Sequence, residues 1–190
     1  MKIFTLFALL SILIPCKKET GPPSLRFSND EKQWLIYHAG QEYKFKNEAG
    51  DSIVYTVTNI EHRSNTPEYK DTSFKIVAYT ESYLAKLASS NDSIIIYFYK
   101  EWQFNTEPNK LKQTIRWLKV KNQFVKLAAI ENNASFTTRT VNGKTYSKVT
   151  QAIPDHDTVY PFTQFDKGYY DQQSGFIEII DLNGVSWKRV

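Results

Sequence analysis

A single cysteine, Cys16, excludes an internal disulfide and any thiol-rich metal or redox centre. Methionine occurs only at position 1, and the three histidines, His38, His62 and His156, are not at zinc-ligand spacing. No nucleophile elbow, phosphate loop or dinucleotide fingerprint is present, so no motif names a catalytic acid, base, nucleophile or cofactor. Basic residues form no run long enough for a nucleic-acid groove. The densest group, Lys110, Lys112, Arg116, Lys119 and Lys121, alternates with Leu111, Ile115 and Trp117 and reads as the solvated side of an amphipathic element. These absences exclude nucleic-acid partners and point away from an enzyme, a metal site or a bound cofactor.

What is present begins with an export signal. Lys2 precedes an apolar run over residues 3–14, which stops at Pro15-Cys16-Lys17-Lys18. A spanning helix needs about 20 apolar residues and a signal core only about 7–15. The run is too short to span. Leu13-Ile14-Pro15-Cys16 resembles a lipobox, with Ile14 and Pro15 where small residues are usual. The resemblance implies cleavage of residues 1–15, lipidation of Cys16 with palmitate-type acyl chains, and a membrane partner reached through that lipid. Residues 16–24, containing Gly21-Pro22-Pro23, then form a stiff tether, and residues 25–190 a single β domain. Cleavage leaves 175 of the 190 residues and takes Lys2 away, which lowers the net charge from +4 to +3.

The remaining chain is rich in Tyr, Phe, Ile, Val and Thr, types that fit a pleated, half-buried surface. Residues 42–46 and 52–58 alternate around the turn chemistry of Asn47 to Asp51 and predict a hairpin. Residues 74–79 are a further strand candidate. Residues 93–99, apolar on both faces, read as a central strand covered on both sides. The stretch 111–118 fits either a helical stripe or a strand. A strand is favoured because 124–127 looks like its partner. Asn142-Gly143 and Asn183-Gly184 each predict a two-residue type I′ turn. The second would pair Leu182 with Val185, Ile180 with Trp187 and Glu178 with Arg189; the first would pair Arg139 with Tyr146 and Phe136 with Val149. Residues 169–190 then form a three-stranded meander. A short helix is expected over 29–37, capped by Asn29 or Asp30 and ended near His38, with His62 in a polar loop over 61–66. The fold class is mainly β: an antiparallel meander forming a sandwich or open barrel, with a short N-terminal helix.

Trp34 to Tyr37, Gly40, Phe45 to Asn47, Gly50-Asp51, Tyr169-Tyr170, Gly175 to Ile177, Gly184 and Trp187, placed after Cys16-Lys17-Lys18, resemble the small lipoproteins of the Bacteroidota. The resemblance implies a cell-envelope location at the outer membrane and supplies no activity. Within it, Ser52, Ser93 and Thr158 each follow an aspartate and precede an apolar residue, a pattern of O-glycosylation. Exposed aromatics suit sugar rings or a protein partner. Trp102 is the candidate because Glu101, Gln103 and Asn105 surround it, while most of Trp34, Trp117 and Trp187 are expected in the core. Tyr169 and Tyr170 are adjacent in a strand, so one should face away from the core. Asp155-His156-Asp157 reads as a turn after Pro154. Glu48/Asp51 and Glu101/Glu107 are carboxylate pairs at turns. The expected function is a non-enzymatic, lipid-anchored envelope protein whose β domain contacts an envelope protein or glycan. The alternatives are a carbohydrate-binding module, then a small hydrolase or a hydrolase inhibitor.

Overall fold

The computed structural model describes residues 26–70, 77–90, 92–100, 111–117, 123–131, 133–155 and 165–190, with side chains for all of these but 64–70, 77–80, 117, 123 and 131. Eleven strands follow one another: β1 (Glu42–Lys46), β2 (Ser52–Lys70), β3 (Val77–Ala88), β4 (Ser93–Lys100), β5 (Leu111–Trp117), β6 (Gln123–Leu127), β7 (Thr137–Val141), β8 (Lys144–Pro154), β9 (Phe165–Asp171), β10 (Gly175–Asp181) and β11 (Ser186–Arg189). Two single-turn helices, α1 (Asn29–Lys32) and α2 (Ala128–Glu131), precede β1 and follow β6. All pairings are antiparallel. Strands β1 to β6 pair in chain order, β7 to β11 do the same, and β11 returns to β1. The last contact, β6 on β8, closes ten strands into a barrel and leaves β7 as an eleventh beside the first half of β8. Of the two architectures expected, the barrel is the one formed, and it is closed. Closure removes most of the strand edges that an open sheet would present.

Alternation decides which residues fill the interior. In β4, Ile94, Ile96, Phe98 and Lys100 are buried while Ser93, Ile95, Tyr97 and Tyr99 are half-exposed. Among the described residues no second layer covers β4, whose outer face is half-exposed rather than buried as expected. Its outer face is partly shielded by its own rings, Tyr97 and Tyr99 stacking with centroids 5.0 Å apart. Tyr43, Phe45, Tyr55, Val57, Tyr83 and Leu87 continue the inward set on β1 to β3.

The segment from Phe27 to Tyr37 plugs this interior. Its helix is only residues 29–32, shorter than the expected 29–37, and the cap is Ser28 rather than Asn29 or Asp30. Ser28 Oγ accepts from the Glu31 N–H while Glu31 accepts from the Ser28 N–H, a reciprocal capping box. Beyond Lys32 the chain leaves helical geometry, because Trp34 and Tyr37 reach different strands. Trp34 packs on Phe98 of β4 and Tyr170 of β9. The Tyr37 hydroxyl donates to the Tyr170 hydroxyl at 3.0 Å, and Tyr83 donates to the Tyr37 carbonyl at 2.7 Å. Gly175 in β10 permits this approach, since a Cβ there would lie 2.8 Å from the Tyr37 hydroxyl. Lys100 pairs with Glu31 at 2.8 Å with both side chains largely buried. The Phe27 N–H donates to Glu81 of β3, whose other carboxylate oxygen lies 2.8 Å from His62 Nε2. His62 therefore lies in β2, opposite Tyr83, and not in a polar loop; its polarity is met by Glu81. His38, beyond the helix, is exposed.

The β7–β8 hairpin folds over the outside of β9 and β10. It builds a second small core from Val141, Tyr146, Val149 and Ile177, with Tyr169 packed against it. Arg139 of β7 lies 3.5 Å from the Tyr169 ring centre and donates from Nε to the buried Glu178 at 2.7 Å, while Ser186 donates to the other Glu178 oxygen.

The two Asn-Gly turns differ. Asn142 and Gly143 both have positive φ, 48° and 78°, and join Val141 to Lys144 as a type I′ turn requires. A bulge after Arg139 then sets Thr137, not Phe136, opposite Val149. At Asn183-Gly184 only Gly184 has positive φ. The Asp181 carboxylate accepts from the Asn183 and Val185 N–H groups, and the Gly184 N–H donates to the Asp181 carbonyl. Asp181 thus imposes a type I turn with glycine in the bulge, a three-residue loop. The extra residue slips the expected register by one: Trp187 faces Ile179, Ser186 faces Ile180 and Lys188 faces Glu178.

Candidate functional site

The barrel wall has one split seam among the described residues, and it follows from the short pairing of β6 with β5. Residues 123–125 of β6 pair with 115–117 of β5 and no further. Along its other edge β6 pairs over 125–127 with residues 152–154 of β8, and the Asp155 N–H adds a bond to the Phe124 carbonyl. Residues 111–114 of β5, still paired with β4, have no described strand on their other side. The wedge between them is a cleft of about 500 Å³, within the usual range for small-molecule sites. Leu111, Gln113, Val125 and Ile130 form its inner wall, and Tyr99, Lys112, Phe124, Lys126 and Asp155 its rim. A second cavity of about 340 Å³ shares Leu111 and Ile130 with it and continues toward the plug, against Glu31, Trp34, Phe136 and Gln172.

Gln113 distinguishes this cleft. Its residue is 4% exposed, yet neither Oε1 nor Nε2 has a hydrogen-bond partner. Gln172, among the residues lining the second cavity, likewise carries an unpartnered Oε1 at 5% exposure. Leaving a buried polar group unsatisfied costs about 1–3 kcal/mol. The charges nearby are committed: Lys126 to Asp155 at 3.0 Å, and Lys100 to Glu31. The cleft therefore offers apolar walls and ion pairs at its rim and its far end, with the two amides packed behind its surface. The pattern Leu111-Lys-Gln-Thr-Ile115 carried the signal: Gln113 is the polar residue in an otherwise apolar inward stripe. The position of β6 that turns this stripe into a cleft depends on β8 and is not visible in it.

An expected result checks the unpartnered amide. Leucine is close to glutamine in volume and suits the neighbouring Leu111 and Ile130. Gln113→Leu should raise the unfolding free energy by about 1–3 kcal/mol, read as a higher urea midpoint at unchanged slope. A lower midpoint would mean that the amide is already paired in the folded protein.

The residues singled out from sequence do not converge on this cleft. Tyr170 is fully buried and bonded to Tyr37. Tyr169 faces away from the main core, as adjacent strand residues must, and lies under Arg139. Trp34 is buried and Trp187 packs against the core, while Trp102 lies outside the described residues. Ser52 is exposed and Ser93 half-buried, each at the start of its strand; the aspartates before them bond Asn47 and Tyr55 respectively. Cys16, Thr158, Glu101, Glu107, His156 and Asp157 lie outside the described residues. β8 ends at Pro154 and the Asp155 N–H still bonds the Phe124 carbonyl, while the rest of the turn expected after Pro154 lies outside the described residues. Glu48 pairs with Lys188 at the surface. Among the described residues no three His, Cys, Asp or Glu side chains come together to hold a metal, and no helix is long and apolar enough to cross a membrane. Burial drives the Tyr37 and Tyr170 hydroxyls far above the usual tyrosine range and pushes Tyr43 and Tyr83 up to about 12, so all four stay neutral at ordinary pH. No family model, curated protein or solved structure matches this chain.

Proposed function

We propose that this chain is a non-enzymatic cell-envelope protein, tethered to the outer membrane by lipid on Cys16, whose barrel captures another envelope component in the β5–β6 cleft. The observation that carries the capture is the cleft of about 500 Å³ beside β5, with Leu111 and Ile130 in its wall and the rings of Tyr99 and Phe124 at its rim. The tether rests on Cys16 at the end of a short apolar signal run. Catalysis has less support. The carboxylate at the rim, Asp155, is paired with Lys126 and has no described second carboxylate beside it in the cleft. The half-buried aromatics Tyr99 and Phe124 at the rim keep a carbohydrate-binding module as the second reading.

One experiment addresses tether and cleft together. A photo-crosslinking residue replacing Tyr99 in the full-length chain, expressed in cells that lipidate exported proteins, should give an adduct in the membrane fraction. Cys16→Ser should move the protein to the soluble fraction. Full retention of the serine variant on membranes would sink the lipid tether, and absence of any adduct from position 99 would sink capture at the cleft.

A further inference from the structure

We infer that the second cavity, between the plug and the segment joining α2 to β7, is a binding site for one neutral sugar ring. The inference is independent of what the β5–β6 cleft captures. At about 340 Å³ the cavity lies at the lower end of the range for small-molecule sites, which suits a single ring. Its deeper lining is apolar, with Trp34, Leu111 and Ile130, while Asp30, Asn133 and Phe136 line it from exposed positions. Phe136, at 40% exposure, is the one exposed aromatic among the described residues. Packing on Trp34, with ring centres 5.9 Å apart, holds it in place beside the cavity. Asn133 is fixed too: its φ of 50° belongs to the end of α2, where the Ala134 N–H donates to the Ala128 carbonyl. Among the described residues neither the Asp30 carboxylate nor the Asn133 amide has a hydrogen-bond or ion-pair partner. Charge and hydrogen bonding then select the ligand. The charged residues lining the cavity are Asp30 and Glu31, and Glu31 is neutralised by Lys100 at 2.8 Å. An anion would meet the Asp30 carboxylate with no cation in the lining to offset it. A hydrocarbon would strip water from Asp30 and Asn133 and return no hydrogen bond. An ammonium ion would suit Asp30 but has no acceptor for the Asn133 amide donors. A sugar ring answers all three groups: neighbouring hydroxyls donate to the carboxylate, others exchange bonds with the amide, and the C–H face covers the Phe136 ring.

The test follows saturation transfer by NMR from the full-length protein, held in micelles of a sugar-free detergent, to three probes: methyl β-glucoside, methyl β-galactoside and methyl β-N-acetylglucosaminide. At least one should bind and receive saturation mainly at the C–H protons of one ring face. Its affinity should be the same at about 0.05 M and about 0.5 M salt, because no charge pairs with the ligand. Phe136→Ala should weaken binding about threefold to tenfold, the value of one aromatic contact. Asp30→Asn should weaken it about tenfold or more, the loss of hydrogen bonds to a charged group. Asn133→Gly keeps the positive φ, removes the amide and should weaken binding about threefold to tenfold. Asp30 and Asn133 are exposed, so these two variants should melt as the wild type does, and unfolding does not account for their loss of binding. Three results would each overturn the sugar site: no binding of any of the three probes, binding indifferent to all three substitutions, or displacement of the bound probe by hexylamine at low salt only. None of them bears on an adduct from position 99, which reports the other cleft.

Discussion

Trp34→Ala should cost about 3–5 kcal/mol of stability, the usual loss when a buried tryptophan is truncated, and lower the melting temperature by roughly 10 °C in a domain of this size. The reason lies in the plug. Helix α1 is a single turn, and an isolated helix that short has no stability of its own. What holds the segment from Phe27 to Tyr37 in place is its side chains. Trp34 meets Phe98 at 6.1 Å and Tyr170 at 5.9 Å between ring centres, and Phe136 covers it from the β7 side at 5.9 Å. Removing the indole opens a cavity among three aromatic-bearing segments of chain at once. It also loosens the wall of the second cavity, which Trp34 lines. Thermal melts followed by near-ultraviolet dichroism check the result, since the aromatic signal reports the same rings. A change below about 0.5 kcal/mol is what a surface residue gives, and would show that the plug is not part of the core.

Alkali should unfold the barrel near pH 11, before its interior tyrosines titrate in place. Tyr37, Tyr43, Tyr83 and Tyr170 lie together, each 5% exposed or less. Burial is the leading cause of the upward displacement of all four from the ordinary value of 10.0. In the unfolded chain they lose protons near pH 10, whereas in the barrel Tyr43 and Tyr83 hold them to about 12 and Tyr37 and Tyr170 are likewise held well above their ordinary value. The folded state thus binds more protons above pH 10. The stability these groups contribute is complete below pH 10 and is lost as pH rises toward 12. Each tyrosine removes about 1.4 kcal/mol per pH unit in that window, so four remove roughly 5–6 kcal/mol by pH 11. Tyrosinate absorbance should show the exposed tyrosines first and then a cooperative step coincident with loss of β dichroism. A smooth titration of every tyrosine with the fold intact at pH 12 would contradict this interior.

Local alternation made much of this barrel legible. Glu42–Lys46 and its turn to Ser52 could be read directly, because Tyr43 and Phe45 alternate with charges and Asn47 to Asp51 is turn chemistry. The Asn142-Gly143 turn was equally readable. Asn183-Gly184 was not, because Asp181, two residues earlier, supplies the acceptor that selects a different turn and shifts Trp187 by one place. The continuation of β2 through His62 was hidden for a related reason. A run of polar residues looks like a loop until Glu81 on the neighbouring strand is known to meet the imidazole. The candidate site was the least legible part. Gln113 is visible in its stripe, but the cleft exists because the β5–β6 ladder stops at Ile115 and Val125 while β6 continues along β8, a partner about 30 positions away.

The order of the strands also bears on how the chain reaches this state. Every neighbour in the barrel except β11–β1 and β6–β8 is also a neighbour in sequence, so hairpins can add one at a time with little loop entropy to overcome. The expensive contact is the short one between Phe45-Lys46 and Lys188-Arg189, which joins the two extremes of the described chain. Until it forms, a growing sheet carries two open edges and an interior into which the plug can bind only on one side. The barrel therefore gains most of its strand pairing early and its closure late. A strand of four residues, β11, decides when a collection of hairpins becomes a single cooperative unit.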